Sequence, residues 1–365
     1  MTRLYCPNCD LDPHPLDWRC PSCGSALELR DLPPFEADAI DSSVWSMWRY
    51  AHMLPVSPAF SLGAGMTPLI PAAVEGVQIF AKCDYLNPSA SYKDRGTETL
   101  VNYLVSQHVT HVVEDSSGNA GSSLALYAAA AGLNAQIFVP ASAPEGKRRA
   151  IAASAELAVI EGARQAVTEA CIAAATNGSV YATHSWNPYF ILGQQTLAWE
   201  LWEQFGRTAP AAIVMPVGQG GLLLGIARGF RALFAAGLID QLPRLYGIQP
   251  EACDPVVKGY DAAVMDPIPD TVAPSIADGT LVANPVRGQS VLAAIRESHG
   301  AAFRVKESLI APACTALARS GFFVEPTSAL TLAAIGDVTA DLRENGISGA
   351  PVLILTGHGL KSSAS

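Results

Sequence analysis

HVVEDSSGNAGSSLALYAAAAGLNAQIFVP, residues 111–140, is the stretch whose reading decides the fold. It opens on a short β-branched run, turns through small and turn-forming residues, continues as an Ala-rich helical stretch and closes on a second apolar run. A strand, a crossover helix and a second strand make a parallel βαβ unit. Working outward, the alternation repeats. Upstream are VQIFAKCD (77–84) and a helix over 93–107. Downstream are LAVIEG (157–162), a helix through 175, SVYATH (179–184) and a helix from about 190 to 205. Then follow AAIVMPVG (211–218), a helix to about 236, PRLYGIQP (243–250) and PVLILTGHG (351–359). Strands this apolar are covered on both faces, so the expected fold class is α/β with two doubly wound parallel sheets. The terminal SSAS reads as a fraying end.

The chain has 365 residues, of which 50% are hydrophobic and 15% charged, enough to bury a large core in two folding units with a small appendage. A net charge of −10 opposes attraction to phosphate backbones and anionic lipid, so neither nucleic acid nor membrane is an expected partner. MTRLYCPNCDLD lacks the basic-then-apolar layout of a secretory signal, and no apolar stretch is uninterrupted enough to span a bilayer; a cytoplasmic location is expected.

Eight cysteines fall into two groups. Cys6, Cys9, Cys20 and Cys23 form C-x2-C-x10-C-x2-C, repeating as CPNC and CPSC. Two thiolate pairs on facing knuckles supply the tetrahedral sulfur shell that Zn²⁺ prefers, which favours a structural zinc ribbon over 1–30; disulfides are the alternative. Cys83, Cys171, Cys253 and Cys314 are scattered and read as inert thiols. Residues 30–66 read as a linker and packing arm.

Four turns at strand ends carry the chemistry. In LNPSASYKDRG (86–96) Lys93 opens a helix, where the helix dipole favours a neutral amine, although a lysine near a turn is commonly a solvated charge. EDSSGNAGSS (114–123) presents helix-start amides and the hydroxyls of Ser116 and Ser117 to an anion, or simply caps a helix. In VGQGGLL the loop Gly218, Gln219, Gly220 and Gly221 lets a phosphate approach the backbone, and its pattern fits neither nucleotide-binding fingerprint. ILTGHGLK (354–361) is the fourth. In an open parallel sheet ligands collect at the carboxyl ends of strands, so the four are expected to serve one crevice.

In that order, with MTPL (66–69), NPYFILGQQT (187–196) and EPTSA (325–329), these motifs resemble pyridoxal phosphate enzymes of the tryptophan synthase β type (fold type II), and among them threonine synthases. The resemblance covers about residues 60–361. It implies that Lys93 carries the cofactor as a Schiff base and shuttles protons, and that Asn119 bonds the cofactor's 3-hydroxyl. The Gly218–Leu222 loop would hold the phosphate, and Thr356 would face the pyridine nitrogen. A neutral hydroxyl there favours elimination and replacement over transamination. Ser116, Ser117 and Ala120 would hold the substrate carboxylate.

For O-phosphohomoserine as substrate, Asn187, Ser185, Thr97 and Lys147 or Arg148 are candidate phosphate contacts. The chain departs from the family's expected pattern at Phe190, where the resemblance implies a basic residue in many threonine synthases, and at SSGNAG. His358 reads as a packing partner, and Asp94, Arg95 and Glu325 read as scaffold charges. The implied function is threonine synthase or a paralogue, a carbon–oxygen lyase. The alternatives are a serine or threonine ammonia-lyase or a β-replacement synthase, and, outside enzymes, a zinc-ribbon interaction protein. A homodimer is expected by analogy. Expected boundaries are a ribbon over 1–30, a large cofactor-binding domain over 31–92 and 190–365, and a small mobile substrate domain over 93–189.

Overall fold

The computed structural model of the chain describes residues 2–143, 145–162, 164–176 and 178–361; residues 362–365, where the tail reads as frayed, lie outside the described residues. The chain divides into two compact units. The first takes residues up to Gly65 and Asn87–Gln194, the second Met66–Leu86 and the residues from Gln195 on.

In chain order the elements begin with strands β1 (Arg3–Tyr5), β2 (Glu28–Arg30), β3 (Leu69–Val74) and β4 (Val77–Lys82). Helix α1 (Lys93–Ser106), β5 (His111–Glu114), α2 (Asn119–Ala130) and β6 (Asn134–Pro140) follow. Next are α3 (Glu145–Ala152), β7 (Glu156–Ile160), α4 (Arg164–Ala175), β8 (Val180–Tyr181) and α5 (Pro188–Gln204). The chain continues with β9 (Ala212–Pro216), α6 (Gly221–Ala235), β10 (Arg244–Pro250), α7 (Pro255–Asp261) and α8 (Gly288–Glu297). It closes with β11 (Ala302–Val305), α9 (Glu307–Arg319), α10 (Pro326–Ala333), α11 (Ile335–Glu344) and β12 (Val352–Ile354).

The first unit contains a parallel sheet in the order β7-β6-β5-β8, as the βαβ reading of 111–140 requires. Val113 of β5 and Phe138 of β6 pack with Val167 and Cys171 of α4 and with Tyr181. The second unit contains a six-stranded sheet, β11-β10-β9-β12-β4-β3. Its central strands AIVMP and VLI are buried at every position, as strands covered on both faces must be. Only β3 runs antiparallel in it, paired to β4 through a two-residue turn, Glu75-Gly76, with both φ values positive. Both positive φ values match a primed hairpin turn, whose twist suits the flanking strands. SVYATH shrinks to the two residues of β8, because the chain turns back where Asn187 N–H donates to Thr183 O.

Residues 31–65 group with the first unit, whereas the sequence suggested they belong with 190–365. The cause is two polar residues of α1. Glu98 accepts from Trp48 Nε1 (2.5 Å), Ser61 Oγ (2.5 Å) and Ala64 N (3.3 Å), and Asn102 accepts from Ala59 N (2.7 Å). Burial raises the Glu98 carboxyl above its ordinary value, and these donors counter the shift. At the N-terminus β1 and β2 pair antiparallel, and Trp18 meets Tyr181 and Trp186 edge-on at 5.2 Å each. Tyr103 Oη donates to Pro15 O at 2.8 Å. Cys83, Cys171 and Cys253 are buried with free thiols, and burial pushes the Cys83 thiol up to about 11. Among the described residues no helix is long and apolar enough to cross a membrane.

Candidate active site

Lys93 is the first residue of α1, and its backbone N–H donates to Ser91 Oγ at 3.3 Å. Its Nζ lies 4.8 Å from the Tyr92 ring centre and 5.7 Å from that of Phe190. The helix is held in place by its next residue. Asp94, fully buried, accepts from Ser89 N (2.6 Å), Ser89 Oγ and Ser123 Oγ (2.7 Å). Ser123 Oγ also lies 2.8 Å from Thr97 Oγ1, so Thr97 is engaged in this network. Asp94 and Arg95, both wholly buried, are scaffold as the sequence suggests.

Two glycines set the approach of α5 to α1. A Cβ at Gly193 would overlap Arg95 O, and one at Gly96 would lie 2.6 Å from the Phe190 ring. Phe190 is thereby pressed onto the first turn of α1, beside Lys93. Asn187 N-caps α5, with its Oδ1 accepting Tyr189 N at 3.0 Å.

The turn before α2 closes on itself, since a Cβ at Gly121 would overlap Ser116 O. Gly118 N–H donates to Ser116 Oγ at 3.3 Å, and Asn119 and Ala120 open the helix with no side-chain cap at its start. Helix-start N–H groups without a side-chain cap suit a carboxylate or phosphate.

In the second unit Gly220 has φ +82°, and a Cβ there would overlap Val291, so glycine is required twice over. Gln219 Oε1 accepts Val286 N at 3.0 Å, pinning the loop, and α6 likewise starts with no side-chain cap. Thr356, 1% exposed, follows β12. Ser328 Oγ accepts from Thr356 N and Gly357 N, both at 2.9 Å, and lies 2.9 Å from Thr356 Oγ1. The group at this position is therefore a neutral hydroxyl backed by another. His358 packs edge-on to Tyr85 (5.4 Å) and Phe323 (5.9 Å).

Residues 60–357 match the family described as pyridoxal-phosphate dependent enzyme. The chain belongs to that family. It is 32% identical to a threonine synthase of Methanosarcina acetivorans, over 99% of this chain and 92% of that one. It is 33% identical to a threonine synthase of Methanocaldococcus jannaschii, over 86% and 80%. Among solved structures it resembles a threonine deaminase from T.th. with TM-score 0.68 at 27% identity, covering 80% of this chain and 92% of that one. Maize serine racemase shares the fold with TM-score 0.69 at 24% identity, covering 80% and 88%. Family membership implies pyridoxal phosphate as cofactor, and with these relatives it makes the chain a threonine synthase-like lyase. The residues of each unit fit that cofactor by themselves: a lysine at a helix start, a glycine loop that no Cβ could share, and a neutral hydroxyl pair.

The sequence reading missed Glu114 and His184. Glu114 ends β5 with 1% of its side chain exposed, and its Oε1 lies 2.9 Å from His184 Nδ1. Burial pushes Glu114 well above the ordinary carboxylate range, helped by the neighbouring Asp115. Burial, followed by the charge of Lys93, pushes His184 well below its ordinary value. The only available sequence signal was an acidic pair, Glu114-Asp115, at the end of an apolar strand.

Proposed function

We propose that the protein catalyses elimination or replacement on the side chain of an amino acid, converting O-phosphohomoserine and water to threonine and phosphate. Similarity to threonine synthases along nearly the whole chain is the observation that carries this reading. Pyridoxal phosphate, when bound, supplies an electron sink for the substrate's α carbon. The chain's own residues do the rest. Lys93 carries the cofactor and, as a free amine, takes and returns the α proton, and Asn119 bonds the cofactor's 3-hydroxyl. Residues Gly218 to Leu222 receive the cofactor phosphate at the start of α6. Thr356 offers the ring nitrogen a hydroxyl in place of a carboxylate, which disfavours transamination. The start of α2, at Ser116, Ser117 and Ala120, receives the substrate carboxylate, and Asn187 offers its amide nitrogen to the substrate phosphate while its oxygen caps α5.

A second reading, a serine or threonine ammonia-lyase, is favoured by Phe190, whose ring centre lies 5.7 Å from Lys93 Nζ and offers no positive charge to a substrate phosphate. The purified protein with added cofactor should absorb visible light, and Lys93→Ala should abolish that band. Phosphate released from O-phosphohomoserine supports the first reading, and 2-oxo acid formed from serine or threonine supports the second. Colourless protein with neither activity refutes both.

The Cys6, Cys9, Cys20 and Cys23 sulfurs all lie within 4.8 Å of one another, which supports a structural Zn²⁺ site with its coordination sphere filled by thiolates.

A further inference from the structure

Glu114, His184 and Ser185 form a continuous hydrogen-bonded line within the first unit. Glu114 Oε1 lies 2.9 Å from His184 Nδ1, and His184 Nε2 lies 3.2 Å from Ser185 Oγ. The far end is sealed. Glu114 is buried, and its Oε2 is without a hydrogen-bond partner among the described residues. The near end is half-buried at Ser185. The His184 ring meets Phe190 edge-on at 5.9 Å, and Lys93 Nζ stands 5.7 Å from the centre of that same ring.

Among the described residues, the other ionisable groups acting on the pair include Asp115, Arg164, Tyr181, Cys171 and Lys93. Asp115 is occupied, accepting from Tyr181 Oη (2.7 Å), Arg164 Nη2 (2.8 Å) and Thr168 Oγ1 (2.6 Å). Burial of both groups favours the state in which carboxyl and imidazole together carry one proton and no net charge.

We propose that Glu114, His184 and Ser185 are a proton relay that protonates the oxygen leaving an unphosphorylated β-hydroxy amino acid bound beside Lys93. The inference rests on Lys93 as the cofactor lysine, and it deepens the second reading above. A phosphate departs as a stable anion, whereas a hydroxyl needs a proton. The Lys93 amine takes the α proton, and the electron pair left behind forms the Cα–Cβ double bond. As the Cβ–O bond breaks, its electron pair stays on oxygen. Ser185 Oγ–H gives its proton to that oxygen, His184 Nε2–H reprotonates Ser185, and Glu114 gives its carboxyl proton to His184 Nδ1. Water leaves, Glu114 is left a carboxylate, and the proton it lost is balanced by the one Lys93 gained. Glu114 and His184 act through Ser185 and are positioning residues.

The test compares two probes on the holoenzyme, L-serine and β-chloro-L-alanine, whose chloride leaves without a proton. In Glu114→Gln and in His184→Asn, the ratio of kcat/KM for L-serine to that for β-chloro-L-alanine should fall by about a hundredfold or more, the usual span of general acid catalysis. A ratio unchanged while both rates fall together would assign the pair a structural role and overturn the relay. So would a wild-type holoenzyme that shows its visible band and leaves L-serine untouched. Absence of the band, with neither probe consumed, would refute the Lys93 assignment and the relay with it.

Discussion

Lys82→Met tests Lys82 against Lys93, eleven residues on, and its cost follows from a fully buried ion pair of the second unit. Lys82 and Glu200 form a salt bridge with neither side chain exposed. Lys82 Nζ also donates to Thr67 O (2.6 Å) and Gln204 Oε1 (2.8 Å), while Glu200 accepts from Met66 N (2.7 Å) and Thr67 N (2.8 Å). Removing the ammonium takes the balancing cation from a carboxylate in the core, which keeps the donors Met66 N, Thr67 N and Thr67 Oγ1. Breaking a buried pair on one side costs about 3–5 kcal/mol. With a urea dependence of about 3 kcal/mol per molar, the unfolding midpoint should fall by about 1–2 M. Tryptophan fluorescence across a urea series reads it. Because Lys82 is locked into this network, the variant should keep the visible absorbance of the bound cofactor at low urea, whereas Lys93→Ala should lose it without a comparable midpoint shift. Restoring neutrality in Lys82→Met/Glu200→Gln should recover part of the loss. A midpoint within about 0.3 M of wild type would refute the reasoning, as that corresponds to under about 1 kcal/mol. Loss of the cofactor band in folded Lys82→Met would refute it equally.

Ser328→Ala strips the acceptor from two buried N–H groups, at Thr356 and Gly357, each costing about 1–3 kcal/mol. It should lower the thermal midpoint and, by freeing Thr356, alter the spectrum of bound cofactor; an unchanged spectrum would show that Thr356 does not address the ring. Gly220→Ala should raise the dissociation constant for pyridoxal phosphate at least tenfold in a spectral titration, since the new Cβ meets Val291 and the φ of +82° is strained. Metal analysis should find about one zinc per chain. Chelation should shift Trp18 fluorescence to the red as its contacts with Tyr181 and Trp186 loosen.

The parallel sheets were legible because their strands announce themselves: β5, β6, β9 and β10 are apolar runs bounded by turns, and the turns hold the glycines and serines. Thr356 was marked only by the resemblance to the family, whereas the glycine loop could be singled out for the same reason. Glu114 and His184 could not, being 70 residues apart and joined only when β5 and β8 align side by side. The segment 30–66 read as a linker and packing arm, but what it packs on was hidden, because its anchors, Glu98 and Asn102, sit on a helix whose polar residues look solvent-facing in one dimension. In three dimensions both are buried. The antiparallel β3 was hidden because its turn, Glu-Gly, needs a left-handed Glu75, which composition alone does not signal.

Trp18 has a consequence for how the chain is made. Its aromatic partners, Tyr181 and Trp186, emerge from the ribosome about 160 residues later, on the order of 10–30 s at ordinary synthesis speeds. Until then the four cysteines must be gathered by their own short hairpin, with an exposed indole at its edge. Capture of zinc early in that interval, before β5 and β6 are made, would give the growing chain a folded head ahead of its parallel strands, and docking of that head would wait until the last strand of the first sheet is complete.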